Sequence, residues 1–594
     1  MFLKQSKSWK GTYLSFVQGY RENNKVKHKT IEKLGYLEDL RKEFPDPISH
    51  FKKIASEKAT NEINELLIKN INTKKLNDNS HEKNAGYLIL KKMYRDLELS
   101  TLFQRIQTTS NCEYSLDEIM QLLVYSRILY PGSKKETFNN KDKFFEDFDF
   151  SLKDLYRSLD NFTKYKDDVC KTLWENTKNK YNRDTSTTYY DCTNYYFEIS
   201  YNDADLIDEE GNILEKGFRK KGPSKEKRKT PIIGMGLLMD KTNIPLSYTL
   251  FPGNESEKDK IIPHLQQAKR DFNLKRTIIV ADRGLNTSDN TLFIAHKNDD
   301  KKTNHDGYIY GQSIIGSSKE FKEWAINPEG FIKDIIVKDD TDDTTYLENN
   351  NIIFRHKSRI FAKTIQIKRD GKRTNKYDIY QKQLVYYSQK YADRQKRLRD
   401  ETVLKAIDLI NNRGKYTKST SYGANKYINN IAYDKKTGEI PEGLELTLKK
   451  ELIREEEKYD GFYSIVTSEL NMSDLDIRNA YKGLWKIEET FKITKTNLKT
   501  RPVYVWTKEH IESHFLTCFV SLVIMRLLEI KLENKISMNN VIKHLKNYNC
   551  TKVEHDLYIF NYYNSEMKLL SNIFNINLDK KYRFLSEIKK ITLK

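Results

Sequence analysis

A chain of 594 residues exceeds what one hydrophobic core usually serves, so two to four structural units are expected, each burying its own core. Lys and Arg number 104 against 84 Asp and Glu, a formal net charge of +20 that favours a polyanionic partner such as nucleic acid or a membrane surface. Cys112, Cys170, Cys192, Cys518 and Cys550 are scattered, with no C-x-x-C pair, which argues against a disulfide framework or a thiolate zinc site and for a reducing compartment.

The N-terminus, MFLKQSKSWK, lacks the apolar stretch of a signal peptide, so a cytoplasmic, nucleoid-associated location is expected. The longest apolar run, Phe515 to Ile530, is short for a membrane span and contains Arg526, so a buried core helix is predicted there and no membrane partner. The 38 tyrosines fit a bias toward A/T-rich codons, and none has a visible partner that would make it a nucleophile.

Residues 1–75 open with alternating, β-prone segments in which a Glu-Asn-Asn turn separates two strands, followed by a charged helical stretch. This reads as a small N-terminal β-containing module, a candidate for DNA binding. The polar tract at 74–84 reads as a linker. From 85 to 182 the pattern is helical: Ser115 and Glu118 form a capping-box signature, Leu116, Ile119, Met120 and Leu123 line one face, and Pro131-Gly132 ends the helix. Such a bundle is equally a DNA-binding unit or an accessory scaffold. Strand patterns follow over 183–300 (STTYYDCT, NYYFEIS, PIIGMGLLMD, IPLSYTLFPGN and, after a helix, RTIIVADRG), predicting an α/β sheet. Residues 301–460 read as an inserted, β-rich domain. From 461 the core resumes with GFYSIVTSE, a helix near 477–495 and the apolar helix of 511–530, and residues 531–594 are a mixed C-terminal region, a candidate for dimerisation.

Asp191 closes the run TTYYD and Asp282 closes TIIVAD, so both carboxylates are expected at strand ends, where an open sheet meets a crevice. In YKGLWKIEETFKITK, Tyr481, Glu488 and Lys495 recur every seven residues, which on one continuous helix puts them on one stripe. Lys492 lies beside Glu488, and Leu484, Trp485, Ile487 and Phe491 supply docking surface. Three converging carboxylates with no imidazole or thiolate suit Mg²⁺ or Mn²⁺, two ions per site, for in-line attack on a phosphodiester. His510 and His514, at i and i+4, lack an H-E-x-x-H context and read as helix packing.

The helix resembles the Y-x2-R-x3-E-x6-K signature of bacterial insertion-sequence transposases of the insertion-sequence-four type: Tyr481, Glu488 and Lys495 match, while Leu484 stands where the Arg is expected. GPSKEKRKTPIIGMGLLMDKTNIPLSYTLFPGN, IIVADRGLNT, NLKTRPVYVWTKEHIESHFLTCFVSLVIMRLLE, RILYPGSK and YRENNKVKHKTIEKLGYLEDL are also similar to regions of that family, in the same order. The resemblance implies an RNase H-like catalytic core interrupted by a β-rich insertion, with Asp191, Asp282 and Glu488 as catalytic metal ligands. It further implies binding and cleavage of terminal inverted repeats, joining of 3′ ends to target DNA, and a homodimer serving two ends. Tyr481, Lys492, Lys495, Arg283, Lys225, Arg228 and Asn254 are candidate contacts to double-stranded DNA, and Phe462 or Tyr463 would stack on a flipped base, although core packing fits either ring better. A catalytically inert DNA-binding relative and a nuclease that cuts without joining remain open.

Overall fold

The computed structural model describes residues 2–22, 25–56, 58, 82–110, 112–295, 306–336, 346–348, 351–366, 368–369, 372–373, 376–412, 423–429, 446–554 and 556–591. The chain divides into one unit of Met1–Lys92, Asn139–Asp147 and Lys535–Lys594, and a second of Met93–Phe138 and Phe148–Asn534. The helical 85–182 stretch is therefore not a unit of its own: its start joins the first unit and most of the remainder the second.

In the first unit, β1 (Phe2–Ser8), β2 (Gly11–Glu22) and β3 (Lys25–Tyr36) form an antiparallel sheet. Alternation sends Leu14 and Phe16 to one face, where they pack with Phe51 and Ala55 of the following helical stretch. The linker expected at 74–84 lies outside the described residues up to 81; its end is β4 (Glu82–Asn84), which pairs with Asn549–Glu554. The C-terminal region thus contributes strands to the N-terminal unit.

The second unit begins with α1 (Leu99–Ser110), α2 (Leu116–Leu129), α3 (Leu152–Lys164) and α4 (Lys166–Thr177). Ser115 caps α2 by accepting from the Glu118 backbone N–H, and the helix stops at Tyr130, before Pro131. A ten-stranded mixed sheet follows. Its strands are β5 (Thr187–Tyr196), β6 (Ile232–Asp240), β7 (Pro245–Pro252), β8 (Ile278–Ala281), β9 (Gly307–Gln312), β10 (Ile332–Ile336), β11 (Asn351–Ile365), β12 (Tyr377–Tyr387) and β13 (Phe462–Thr467), with Tyr346–Glu348 paired to β11. The order is β10-β11-β12-β13-β9-β8-β5-β6-β7. The pairs β5–β8 and β8–β9 are parallel, and β5–β6 and β6–β7 antiparallel. The chain is a mixed α/β protein with one large mixed sheet.

Two expectations change. TTYYDCT and NYYFEIS are not two strands: β5 runs unbroken through Asp191 because β6 pairs with it from Thr188 to Tyr196. Nor is 301–460 a separate domain, since β9 lies within the sheet beside β8, and β12 pairs with β13 over six positions. The helices used below are α5 (Ile261–Phe272), α6 (Gln389–Asn411), α7 (Asp474–Lys482), α8 (Leu484–Thr496) and α9 (Lys508–Lys531). At 24 residues α9 is long and apolar enough to cross a membrane, yet 94% of its most apolar window is buried inside the protein. Its Arg526, 2% exposed, donates to Thr490 Oγ1 of α8 at 2.5 Å and pairs with Glu529 at 2.5 Å, tying the two helices together.

Candidate active site

Parallel pairing of β8 with β5 ends at Ala281 opposite Tyr190, so the next residue on each strand is an aspartate. Asp282 and Asp191 stand side by side where β8 gives out, although β5 itself continues. Asp191 is therefore at mid-strand, at the end only of its parallel pairing, and the strand-end expectation holds for Asp282 alone. Asp191 is partly buried and accepts the Cys192 backbone N–H at 2.7 Å. Burial, with the charges of Asp282 and Glu257 adding to it, pushes its carboxyl up to about 6 against the opposing pull of Lys225 and that N–H. Asp282 is exposed and leads into the short 3₁₀ turn Arg283–Leu285, its backbone carbonyl accepting the Leu285 N–H at 3.0 Å.

Tyr189, Asp191, Thr193 and Tyr195 share one face of β5. That face carries α8: the Lys495 ammonium donates to Thr193 Oγ1 at 2.5 Å, and Thr494 Oγ1 bonds the Tyr195 hydroxyl at 2.7 Å. At the other end Gly483 lies on the Tyr189 ring, where a Cβ would fall 2.1 Å from the hydroxyl. Here the single helix predicted over 477–495 is two, so Tyr481 belongs to α7 while Glu488 and Lys495 belong to α8. We expect Gly483→Ala to cost about 1–3 kcal/mol by overpacking a buried ring, read as a lower urea midpoint at unchanged slope.

Glu488 is exposed on α8, and Trp485, expected to supply docking surface, is 48% exposed. The charges of Asp282 and Glu488 both act on the Tyr481 hydroxyl, which burial holds above its ordinary range. Tyr481 is packed down: a Cβ on Gly311 of β9 would lie 2.4 Å from its hydroxyl and 3.1 Å from Arg283 Cβ, so a glycine is needed where these side chains converge. The start of α7 is clamped from the 301–460 stretch, with Asp474 2.8 Å from His356 Nδ1 on β11 and 2.7 Å from Lys382 Nζ on β12. Although burial works against it, these contacts hold the Asp474 carboxyl down at about 2.

The remaining candidates fall into two groups. Lys225 donates to the Cys192 carbonyl at 2.7 Å beside Asp191, and burial first, then Lys225, lowers the Lys495 ammonium to about 8. Arg228 lies over the Tyr196 ring at 3.5 Å and pairs with Glu226 at 3.4 Å. Lys492, Arg283 and Asn254 are exposed. Both rings proposed for base stacking are engaged within the protein: Tyr463 stacks on Tyr391 at 3.8 Å and Tyr386 at 5.3 Å, and Phe462 packs on Tyr387 and Phe331. His514 is buried against the Thr500 carbonyl, and His510 lies 3.6 Å from Asp160.

Sequence reasoning passes over Glu257, whose charge acts on both Asp191 and Lys495. Its turn is held to the turn after Asp282 by Asn290, 1% exposed, which donates to the carbonyls of Lys258 at 3.1 Å and Leu285 at 2.9 Å. An acidic residue just past FPGN was the only local signal. Among the described residues no group of three His, Cys, Asp or Glu side chains is disposed to hold a metal ion. The fold thus sets two carboxylates together, with Glu257 acting on Asp191 and Glu488 acting near Asp282.

Residues 3–65 match the family model described as "IS1634 family transposase, N-terminal domain", and this match supports an insertion-sequence transposase. No curated protein matches the chain. Among solved structures it is similar to the cryo-EM structure of the piggyBac transposase synaptic complex with hairpin DNA. The identity is 8% over 72% of this chain and 69% of that one, with a TM-score of 0.32.

Proposed function

We propose that the chain is an insertion-sequence DNA transposase of the DDE type, in which Asp191, Asp282 and Glu488 hold Mg²⁺ or Mn²⁺, two ions per site, and the protein cuts transposon ends and joins their 3′ ends to target DNA. The observation that carries this reading is the register that sets Asp191 beside Asp282 at the end of a parallel strand pair. The strand order β7-β6-β5-β8-β9, three antiparallel strands followed by two parallel neighbours, supports an RNase H-like core. The N-terminal family match supports the transposase class.

The donor set fits a hard divalent cation, being carboxylate oxygen throughout, and Asp191 holds its proton tightly partly because of Asp282's charge, a repulsion that a cation relieves. Bound there, the ions would lower the proton affinity of a water or 3′-hydroxyl and stabilise the leaving oxygen. Lys225 acts on Asp191 and Asp191 in turn on Lys495, while the exposed Lys492 and Arg283 would meet phosphates. Two ends need two such sites, hence a homodimer in the working complex.

The test is a strand-transfer assay with pre-cut oligonucleotides ending in the element's inverted repeats. Joined product with Mg²⁺, and none with EDTA, is expected; cleavage without joining would make the protein a nuclease. A second reading, a DNA-binding protein without catalysis, is favoured by the lack of a ready three-carboxylate cluster among the described residues. It predicts end binding with neither cutting nor joining.

The proton on Asp191 gives a pH signature. A cation must displace it, so Mn²⁺ affinity should fall about tenfold per pH unit below about 6 and level off above, as read by titration calorimetry. The folded chain keeps this proton to higher pH than the unfolded chain, so without metal Asp191 makes a contribution that lowers stability as pH rises from about 4 to about 6. Equal Mn²⁺ affinity at pH 5 and pH 7 would remove Asp191 from the ligand set.

A further inference from the structure

Three basic side chains meet inside the second unit. Arg127 of α2 is 5% exposed, Lys134, just past Pro131-Gly132, 3%, and His514 of α9 5%. Arg127 donates from Nη1 to the Leu498 carbonyl at 3.2 Å and from Nη2 to the Gly132 carbonyl at 3.1 Å, and its Nε has no partner among the described residues. His514 Nε2 lies 3.1 Å from the Thr500 carbonyl. Lys134 Nζ has no hydrogen-bond partner among the described residues. The charge of Arg127 acts on Lys134, and both act on His514; among the described residues the acidic group that acts on Lys134 is the Cys518 thiol, and no carboxylate acts on Lys134 or His514.

We infer that Arg127 and Lys134 bind one small inorganic anion, chloride or phosphate, in the interior of the second unit. A buried ammonium without a partner must either give up its proton or meet a negative charge. Burial, then Arg127, brings Lys134 down to about 7, so at neutral pH the two outcomes are close in free energy and an anion decides between them. Among the described residues Arg127 is met only by two carbonyl oxygens, which supply only partial charge. One anion between them would supply the acceptor that Lys134 Nζ and Arg127 Nε both lack among the described residues. It would also join the helix end at Arg127 to residues 498–500, the chain segment that leaves α8, and so brace the helix that bears Glu488.

The test is thermal unfolding of the full chain at pH 7 and constant ionic strength, replacing gluconate stepwise by chloride or by phosphate. A saturable rise in Tm of about 5 °C is expected with the anion that fits, by ligand linkage to the folded state. Response to phosphate but not chloride assigns an oxyanion; the reverse assigns chloride. Lys134→Met should abolish the saturable rise. Its persistence in that variant overturns the proposal, as does a wild-type Tm that is flat or changes without saturating. The wild-type titration decides the matter even where Lys134→Met does not fold. No DNA enters the assay, so either result leaves the transposase reading untouched.

Discussion

Asp191→Ala and Asp282→Ala should each lower Mg²⁺-dependent cleavage of transposon ends by about 10³-fold while leaving end binding within about twofold. Charge stabilisation by a catalytic metal is worth several kcal/mol, and each 1.36 kcal/mol is tenfold in rate, so loss of a ligand that holds it removes roughly three orders of magnitude. Binding is expected to survive because the exposed cations proposed to meet phosphates, Lys492 and Arg283, are untouched. Glu488→Gln is the sharper experiment. Its carboxylate acts on Tyr481 alongside Asp282 but forms no ready cluster with the two aspartates, so an equal loss means that loading of metal or DNA completes the site. Full activity in Glu488→Gln, with none in the aspartate variants, would take Glu488 out of the ligand set and direct attention to Glu257.

Arg183→Met should destabilise the second unit by about 3–5 kcal/mol, measured by urea unfolding, because it leaves a buried carboxylate alone. Arg183 Nε meets Asp240 Oδ2 at 2.5 Å with side chains 1% and 0% exposed. Its other nitrogens donate to Thr177 Oγ1 at 2.9 Å and to the carbonyls of Ile244 at 3.0 Å and Pro245 at 2.9 Å. Asp240 in turn accepts from Thr242 Oγ1 at 2.6 Å and the Ile244 N–H at 3.0 Å. The pair thus fixes the turn between β6 and β7 to the end of α4 and the approach to β5. Arg183→Met combined with Asp240→Leu should recover most of the loss, since neither change then strands a charge. A single variant losing under about 1 kcal/mol would mean that water reaches Asp240.

Much of this architecture is legible in the sequence because it is written in local periodicity. Alternation marks β2 and β7, the unbroken apolar run IIGMGLLM marks β6, the Ser115 cap marks the start of α2, and the apolar density of 515–530 marks the core of α9. What escapes is set by partners distant in the chain. Asp191 ends an apolar run, so it reads as a strand end, yet β6 carries the pairing on to Tyr196. The seven-residue spacing of Tyr481, Glu488 and Lys495 assumes one straight helix, and no local feature announces that Tyr189, nearly three hundred positions earlier, lies under Gly483. Asp191 and Asp282 could be nominated by residue type and setting; that they are next-door neighbours depends on strand register, and the nearness of Glu257 on the packing of its turn.

The placement of β13 also bears on how such a chain could be shortened. Both of its neighbours, β9 and β12, come from the 301–460 stretch. Excising that stretch would strip the strand leading into α7 of every backbone partner along both edges. A trimmed descendant could not simply close the gap; it would have to retain β9 and supply a substitute for β12, so this segment is grafted into the protein's framework rather than hung upon it.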